Sequence, residues 1–308
     1  MIEFFTILCA NAFRMGTPLV LGAVGEVYSE RTGVMMTAIE GVFLAGAFGG
    51  LVGAFLTQSL AMGFLIAILS GVIVASAHGW ICVYLKQNQV VTGTAIAILV
   101  AGLCAFLFRV IFGVPLMPIT VTPLRELPIP LLSSIPFFGR VLFSQNLLTY
   151  FMFVFVPLAY FVLYRTSLGL VIRSAGENPE AVEVAGIKVN RVRFFTVLFA
   201  GGVSGLAGAF YSIGFLGMYT DTIIGGRGWI AFAICFLGNW NPKGAFIGGI
   251  VFGFAEAFAI SMQVGAGSAI FPNELLIALP YILTIVLAIT RKAYNVPAKL
   301  GVSYGIEK

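Results

Sequence analysis

Apolar residues run through this chain in long stretches broken by short polar segments. Such stretches match the about 20 residues a helix needs to cross a bilayer. Lipid offers backbone groups no partners, so spanning segments must be helices or closed barrels. A barrel would show alternating strands of about ten residues, and the runs here are longer and continuous. The pattern predicts spans at 4–25, 34–57, 63–85, 90–112, 146–164, 194–216, 244–262 and 273–290, with a short apolar piece at 229–238. The expected fold is all-α: one polytopic membrane domain over 1–308, with about 8–10 transmembrane helices, some short or broken.

Two places share a design. Pro18–Gly25 is a short apolar piece, then a polar break at Glu26–Gly33, then a Gly-rich span from Val34. Trp229–Gly238 is followed by the break Asn239–Gly244 and a Gly-rich span from Ala245. Interrupted spans at matching positions of two halves are the mark of a transport repeat. Two independent hairpins give the same pattern. Glycines cluster at Gly46, Gly49, Gly50 and Gly53, at Gly201, Gly202, Gly205 and Gly208, and at Gly244, Gly248, Gly249 and Gly253. Small residues four apart let helices approach closely in lipid.

The segment Ser167–Ile187 is polar and charged in an otherwise oily chain. Asn178 suits a helix N-cap, Pro179 the first helical position, and Gly186 the residue just past the end. A two-turn helix is expected there, with Ala181, Val182, Val184 and Ala185 as a small apolar patch, displayed for docking by another protein. The 113–145 loop holds six prolines and reads as an external cap with an interfacial piece near Pro136–Phe143.

The chain is 308 residues long, 60% hydrophobic and 9% charged, which excludes an ordinary soluble domain. The net charge of +5 sits in a few loops and is no sign of nucleic-acid binding. If Lys86 is cytoplasmic, that side holds Arg31, Lys86, Arg165, Arg173, Lys188, Arg191, Arg193, Lys243, Arg291, Lys292, Lys299 and Lys308. The other side holds Arg125, Arg140 and Arg227, a bias of twelve to three that puts the C-terminus in the cytoplasm. This count requires 229–238 to bring the chain back across. Cys9, Cys82, Cys104 and Cys235 lie in apolar runs without pairing or metal spacing and read as packed hydrophobes. Glu3 and the lack of a basic start argue against a cleaved signal peptide.

Charges inside spans are costly, about 2.5–3.5 kcal/mol on insertion scales, and carry a functional prior. Arg14 reads as a mark of a break in the first span, Arg109 as snorkelling, and Glu40 and Glu256 as acids facing a polar cavity or bonding between helices. Gly202-Val-Ser204-Gly205 matches an intramembrane serine protease pattern, but His78, the sole histidine, lies in another span. No phosphate-binding loop occurs, so ATP chemistry must come from a partner.

Gly25-Glu-Val-Tyr-Ser-Glu-Arg-Thr-Gly-Val34 with Ile39-Glu40-Gly41, then Arg173-Ser-Ala-Gly-Glu-Asn-Pro-Glu-Ala181 with Ala185-Gly-Ile187, then Gly226-Arg-Gly228 with Asn239-Trp-Asn-Pro242 resemble ABC-importer permeases of the ribose and branched-chain amino acid type. The nearest branch is the nucleoside and simple-sugar permeases, in particular the shorter of two paired permeases. The resemblance covers nearly the whole chain. It implies a non-enzymatic, alternating-access subunit in the bacterial inner membrane, an ABC ATPase partner carrying ATP-Mg, a second permease, and a substrate-binding lipoprotein. No cofactor is expected in this chain. The resemblance implies that the 165–193 loop couples to the ATPase through Arg173, Ser174, Gly176, Glu177, Asn178, Pro179, Glu180, Ala181, Glu183, Gly186 and Ile187. Pathway candidates are Glu40, Met36, Thr37, Asn239, Trp240, Asn241 and Glu256. Where the family carries Asn-x-Gly, this chain has Met36-Thr37-Ala38, which implies a less polar lining. An ion-coupled secondary transporter or channel for a small polar solute is the alternative.

Overall fold

The computed structural model describes residues 2–264, 272–290 and 294–305. Among them, seven helices are long and apolar enough to cross a membrane, and two shorter apolar helices accompany them. In chain order the helices are α1 (Ile2–Arg31), α2 (Ile39–Thr57), α3 (Leu60–Gly79, continued by a π turn to Tyr84) and α4 (Gln89–Phe112). A connecting segment follows, with strand β1 (Glu126–Pro128), α5 (Phe138–Leu142) and strand β2 (Ser144–Asn146). Next come α6 (Leu147–Arg165), α7 (Ser167–Glu177), α8 (Pro179–Val184) and α9 (Val189–Ala209, continued by a π turn to Leu216). The last three are α10 (Arg227–Leu237), α11 (Pro242–Val264) and α12 (Asn273–Thr290).

The expected break after Gly25 is absent, because α1 continues to Arg31 with Pro18 inside it. Its polar residues are buried and partnered rather than solvated. Glu26 Oε1 accepts from the Met36 N–H at 2.8 Å, Ser29 donates to the Val34 carbonyl at 2.7 Å, and Glu30 accepts from the Trp240 indole. These bonds fold the chain back along α1. The true interruption is therefore the extended stretch that precedes α2, so that α2 starts part way along the bundle.

Arg14 likewise breaks nothing. It pairs with Glu126 at 2.6 Å and reaches Gln145 Oε1 at 3.2 Å, pinning the connecting segment to α1. In that segment α5 falls within Pro136–Phe143, and an antiparallel β1–β2 pair places Leu127 opposite Gln145.

Two runs of four helices, α1–α4 and α9–α12, are arranged alike. In each, the second helix starts late after a non-helical entry. The helix α1 packs along α11, and α9 packs along α3, so each run's first helix lies against the other run's third. By its place in the run, α2 corresponds to α10, and Pro18–Gly25 lies inside α1. Glycines set the close crossings. A Cβ on Gly46 would strike the Gly205 backbone, and one on Gly16 would come within 2.8 Å of the Gly249 carbonyl oxygen.

Candidate functional site: a capped half-helix and a displayed hairpin

The helix α10 has 11 residues, about 16 Å at 1.5 Å per residue, roughly half of a ~30 Å hydrocarbon core. Its N-terminus therefore ends among neighbouring helices, where its leading N–H groups need acceptors. Glu40, in the first turn of α2, supplies them: Oε1 accepts from Gly226 N and Oε2 from Gly228 N, both at 2.8 Å. Two helix N-termini converge on one carboxylate, a placement their dipoles favour. Gly228 is required, since a Cβ there would lie 2.6 Å from Glu40 Cα. Beside this cap, Arg227 binds Glu256 of α11 through Nε at 2.6 Å and NH2 at 2.5 Å. The guanidinium stands 5.1 Å over the Tyr211 ring. Tyr281 of α12 donates to the Gly225 carbonyl at 2.9 Å. A cavity of ≈340 Å³ opens here, with Arg227, Glu256, Gln263 and Tyr281 in its wall.

The pathway candidates fall into three places. Glu40 and Glu256 join through Arg227 and its flanking glycines. Met36 and Thr37 are buried in the entry to α2; the Thr37 hydroxyl donates to the Gln89 carbonyl at 2.7 Å. Asn239, Trp240 and Asn241 form the tight α10–α11 turn, with Asn239 and Trp240 at positive φ. Asn241 Oδ1 accepts from Lys243 N at 2.9 Å, and Arg31 Nε donates to the Trp240 carbonyl at 2.8 Å. Arg227 and Tyr211 were missed as site residues. The signal for Arg227 was its place between Gly226 and Gly228.

The expected two-turn helix is α8, built as its caps require. Asn178 Oδ1 accepts from Ala181 N at 3.1 Å, Pro179 opens the helix, and Gly186 lies at φ +83°. The apolar patch divides. Val182 is buried with Ala175 and Val189, whereas Ala181, Val184 and Ala185 face out, Val184 at 90% exposure. Glu177, Asn178, Glu180, Glu183 and Gly186 are exposed, Ser174 and Ile187 are half-buried, and Gly176 is buried. Arg173 turns inward, donating to the Leu163 carbonyl at 3.0 Å and lying 5.1 Å over the Tyr164 ring.

The hairpin stands at the end of the bundle that carries Arg31 and Lys86. Arg31 reaches Glu177 at 3.8 Å, and the chain after α12 returns to this end, bonding Lys299 N to the Gly176 carbonyl at 2.8 Å and Gly301 N to the Gly33 carbonyl at 3.0 Å. The Tyr304 hydroxyl donates to Glu183, and this bond to a carboxylate raises the pKa of the phenol. Arg291, Lys292 and Lys308 lie outside the described residues.

Ser204 and His78 do not form a catalytic pair. Both are fully buried; His78 Nε2 contacts the Met35 carbonyl at 3.0 Å, and Ser204 Oγ has no hydrogen-bond partner among the described residues. The four cysteines are free thiols, and all but Cys9 are buried.

Crossing helices, a half-helix capped inside the bundle and a polar hairpin at one end define a polytopic transport permease. The chain belongs to the family of the branched-chain amino acid transport system permease component, whose model matches residues 8–288. It is 33% identical over 306 residues to the nucleoside ABC transporter permease protein NupC of Lactococcus lactis, covering 97% of this chain and 96% of that one. It is 32% identical over 299 residues to the guanosine ABC transporter permease protein NupQ of Bacillus subtilis, covering 94% and 92%. A putative glucose ABC transporter permease, TsgC13 of Haloferax volcanii, is 33% identical over 264 residues, covering 84% and 78%.

Proposed function

We propose that this chain is one of two paired permease subunits of an ATP-driven importer for a nucleoside. ATP is hydrolysed in a separate cytosolic subunit, and a lipoprotein delivers the solute. The observation that carries the ATP-driven reading is the α7–α8 hairpin. It presents the bare Val184 knob and the exposed Glu180 at the end where the basic residues gather, which is the cytoplasmic end by charge bias. The choice of solute rests on the full-length likeness to NupC and NupQ. The cavity beside Arg227 and Glu256 suits a solute rich in hydrogen-bonding groups, since it offers an amide, a phenol and an ion pair in one wall.

In this reading α8 is the element the ATPase grips, and Asn178 and Pro179 fix its shape. Nucleotide binding elsewhere rocks two permeases around a shared path. The test is reconstitution with a co-expressed ATPase, second permease and lipoprotein. The chain alone is expected to hydrolyse no ATP, and the assembly to take up guanosine or uridine in preference to glucose. Glucose preference would move the substrate class to sugars, as for TsgC13. Uptake by the lone chain on an ion gradient would overturn the ATP-driven reading in favour of secondary transport.

A further inference from the structure

The chain after α12 returns to the hairpin. Ala298 N donates to Glu177 Oε2 at 3.2 Å, Lys299 N to the Gly176 carbonyl at 2.8 Å, and the Tyr304 hydroxyl to Glu183. Tyr304 also packs against the small core of Ala175, Val182 and Val189 beneath α8. The Arg193 NH1 donates to the Val302 carbonyl at 2.7 Å, and Gly301 N bonds the Gly33 carbonyl at 3.0 Å. The segment is thus fixed at both of its ends and in the middle.

Between this segment and α8 lies a cleft of ≈480 Å³. Pro179 and Glu180 form one wall, Lys299, Val302 and Tyr304 the other, and Arg193 also lines it. The two walls carry opposite charges that do not meet. Glu180 and Lys299 have no ion-pair partner among the described residues. The apolar rim is bare on both sides, with Val184 at 90% and Val302 at 50% exposure. Exposed valines on the water side, next to unpaired charges of both signs, are the marks of a contact surface rather than a solvated face.

We propose that α8 and the segment Val296–Tyr304 form one continuous docking surface, and that the ATPase subunit seats across both. This rests on the reading of α8 as the ATPase contact. The partner surface it fits has an apolar centre for Val184 and Val302, a basic group facing Glu180 and an acidic group facing Lys299. Complementary charges at such a rim set orientation and encounter rate more than affinity. Because Gly301 is bonded to Gly33 and Val302 to Arg193, a partner seated here holds the ends of α1 and α9 through the same surface.

The experiment places a photo-crosslinking benzophenone residue at Val184, Val302, Ser303 or Leu99 of the full chain, co-expressed with the ATPase and second permease. Leu99 lies on the exposed face of α4, away from α8, and serves as the control. Crosslinks to the ATPase from Val184, Val302 and Ser303, with none from Leu99, are the expected result. A crosslink from Val184 alone would overturn the proposal and leave the proposed function standing. Crosslinks from Val302 to the second permease would overturn it as well. Absence at all three positions would overturn both readings. In the second arm, V302R is expected to lower co-purified ATPase at least tenfold, with the permease unchanged in membrane level and gel-filtration profile; undiminished co-purification would count against the proposal.

Discussion

At the residue scale, Glu40 and Arg227 each hold another element in place. Removing the Glu40 carboxylate by Glu40→Ala leaves two N–H groups of α10 without acceptors. An unsatisfied buried donor costs about 1–3 kcal/mol, so a fall of that order in the stability of the purified chain is expected. Glu40→Gln keeps one acceptor and should lose less. Equal melting temperatures for E40A, E40Q and the parent would remove the cap from the account. Arg227→Met leaves Glu256, with its side chain 11% exposed, facing the cavity without a partner. Losing one member of a buried pair costs about 3–5 kcal/mol, and the part exposure of Arg227 puts this case at or below the lower end. The double substitution Arg227→Met with Glu256→Leu should recover most of the stability while uptake stays lost. Recovery of uptake in the double variant would show that the pair only stabilises. Neither role was written in the side-chain pattern. Glu40 and Glu256 stood out as acids in spans, but the groups they bind are 188 and 29 positions away, and two of Glu40's partners are backbone N–H groups of glycines.

At the element scale, legibility follows the range of the interaction. The spans were readable because hydropathy is local, and α8 because its caps are: Asn178, Pro179 and Gly186 sit within nine residues and act on their own backbone. The first span was misread for a physical reason. Glu26, Ser29 and Glu30 look like a water-facing break, yet α1 carries them buried, since Met36, Val34 and Trp240 fold back to meet them. The strap after α12 was equally hidden, because its bonds to Gly33, Gly176 and Arg193 join stretches more than 100 residues apart. Arg193 belongs with this strap. It is 2% exposed and bonded to the Val302 and Ala175 carbonyls. Arg193→Ala should free the segment from α9 before the bundle unfolds. Protease cleavage after Lys299 is expected to rise at least several-fold while the melting temperature falls by a smaller step; cleavage unchanged at Lys299 would mean the segment is held by its other bonds.

At the scale of the whole molecule, the crossed arrangement of α1 on α11 and α9 on α3 fixes the direction of the chain. The helices α1, α3, α6, α10 and α12 end toward Arg31 and Lys86, while α2, α4, α9 and α11 leave from there. The short α10 runs back toward Arg31, so one end gathers Arg31, Lys86, Arg165, Lys188, Arg191 and Lys243, and Arg140 and Arg125 lie on the segment between α4 and α6. Insertion leaves an excess of Lys and Arg on the cytoplasmic side, so this distribution predicts a hairpin end that faces the cytoplasm. The orientation is tested in a variant with Cys9 replaced by Ser, since the other native thiols are buried. In that background Ser133→Cys, on the segment between α4 and α6, should react with a membrane-impermeant maleimide in intact cells. Ser303→Cys, in the cleft beside α8, should react only after the membrane is opened. Labelling of Ser303→Cys from outside would invert the molecule and remove the cytosolic ATPase from reach of α8, whatever the relatives carry. Labelling of both positions in sealed cells would mean that the two ends share a side, which an α10 that turns back before completing the return would produce.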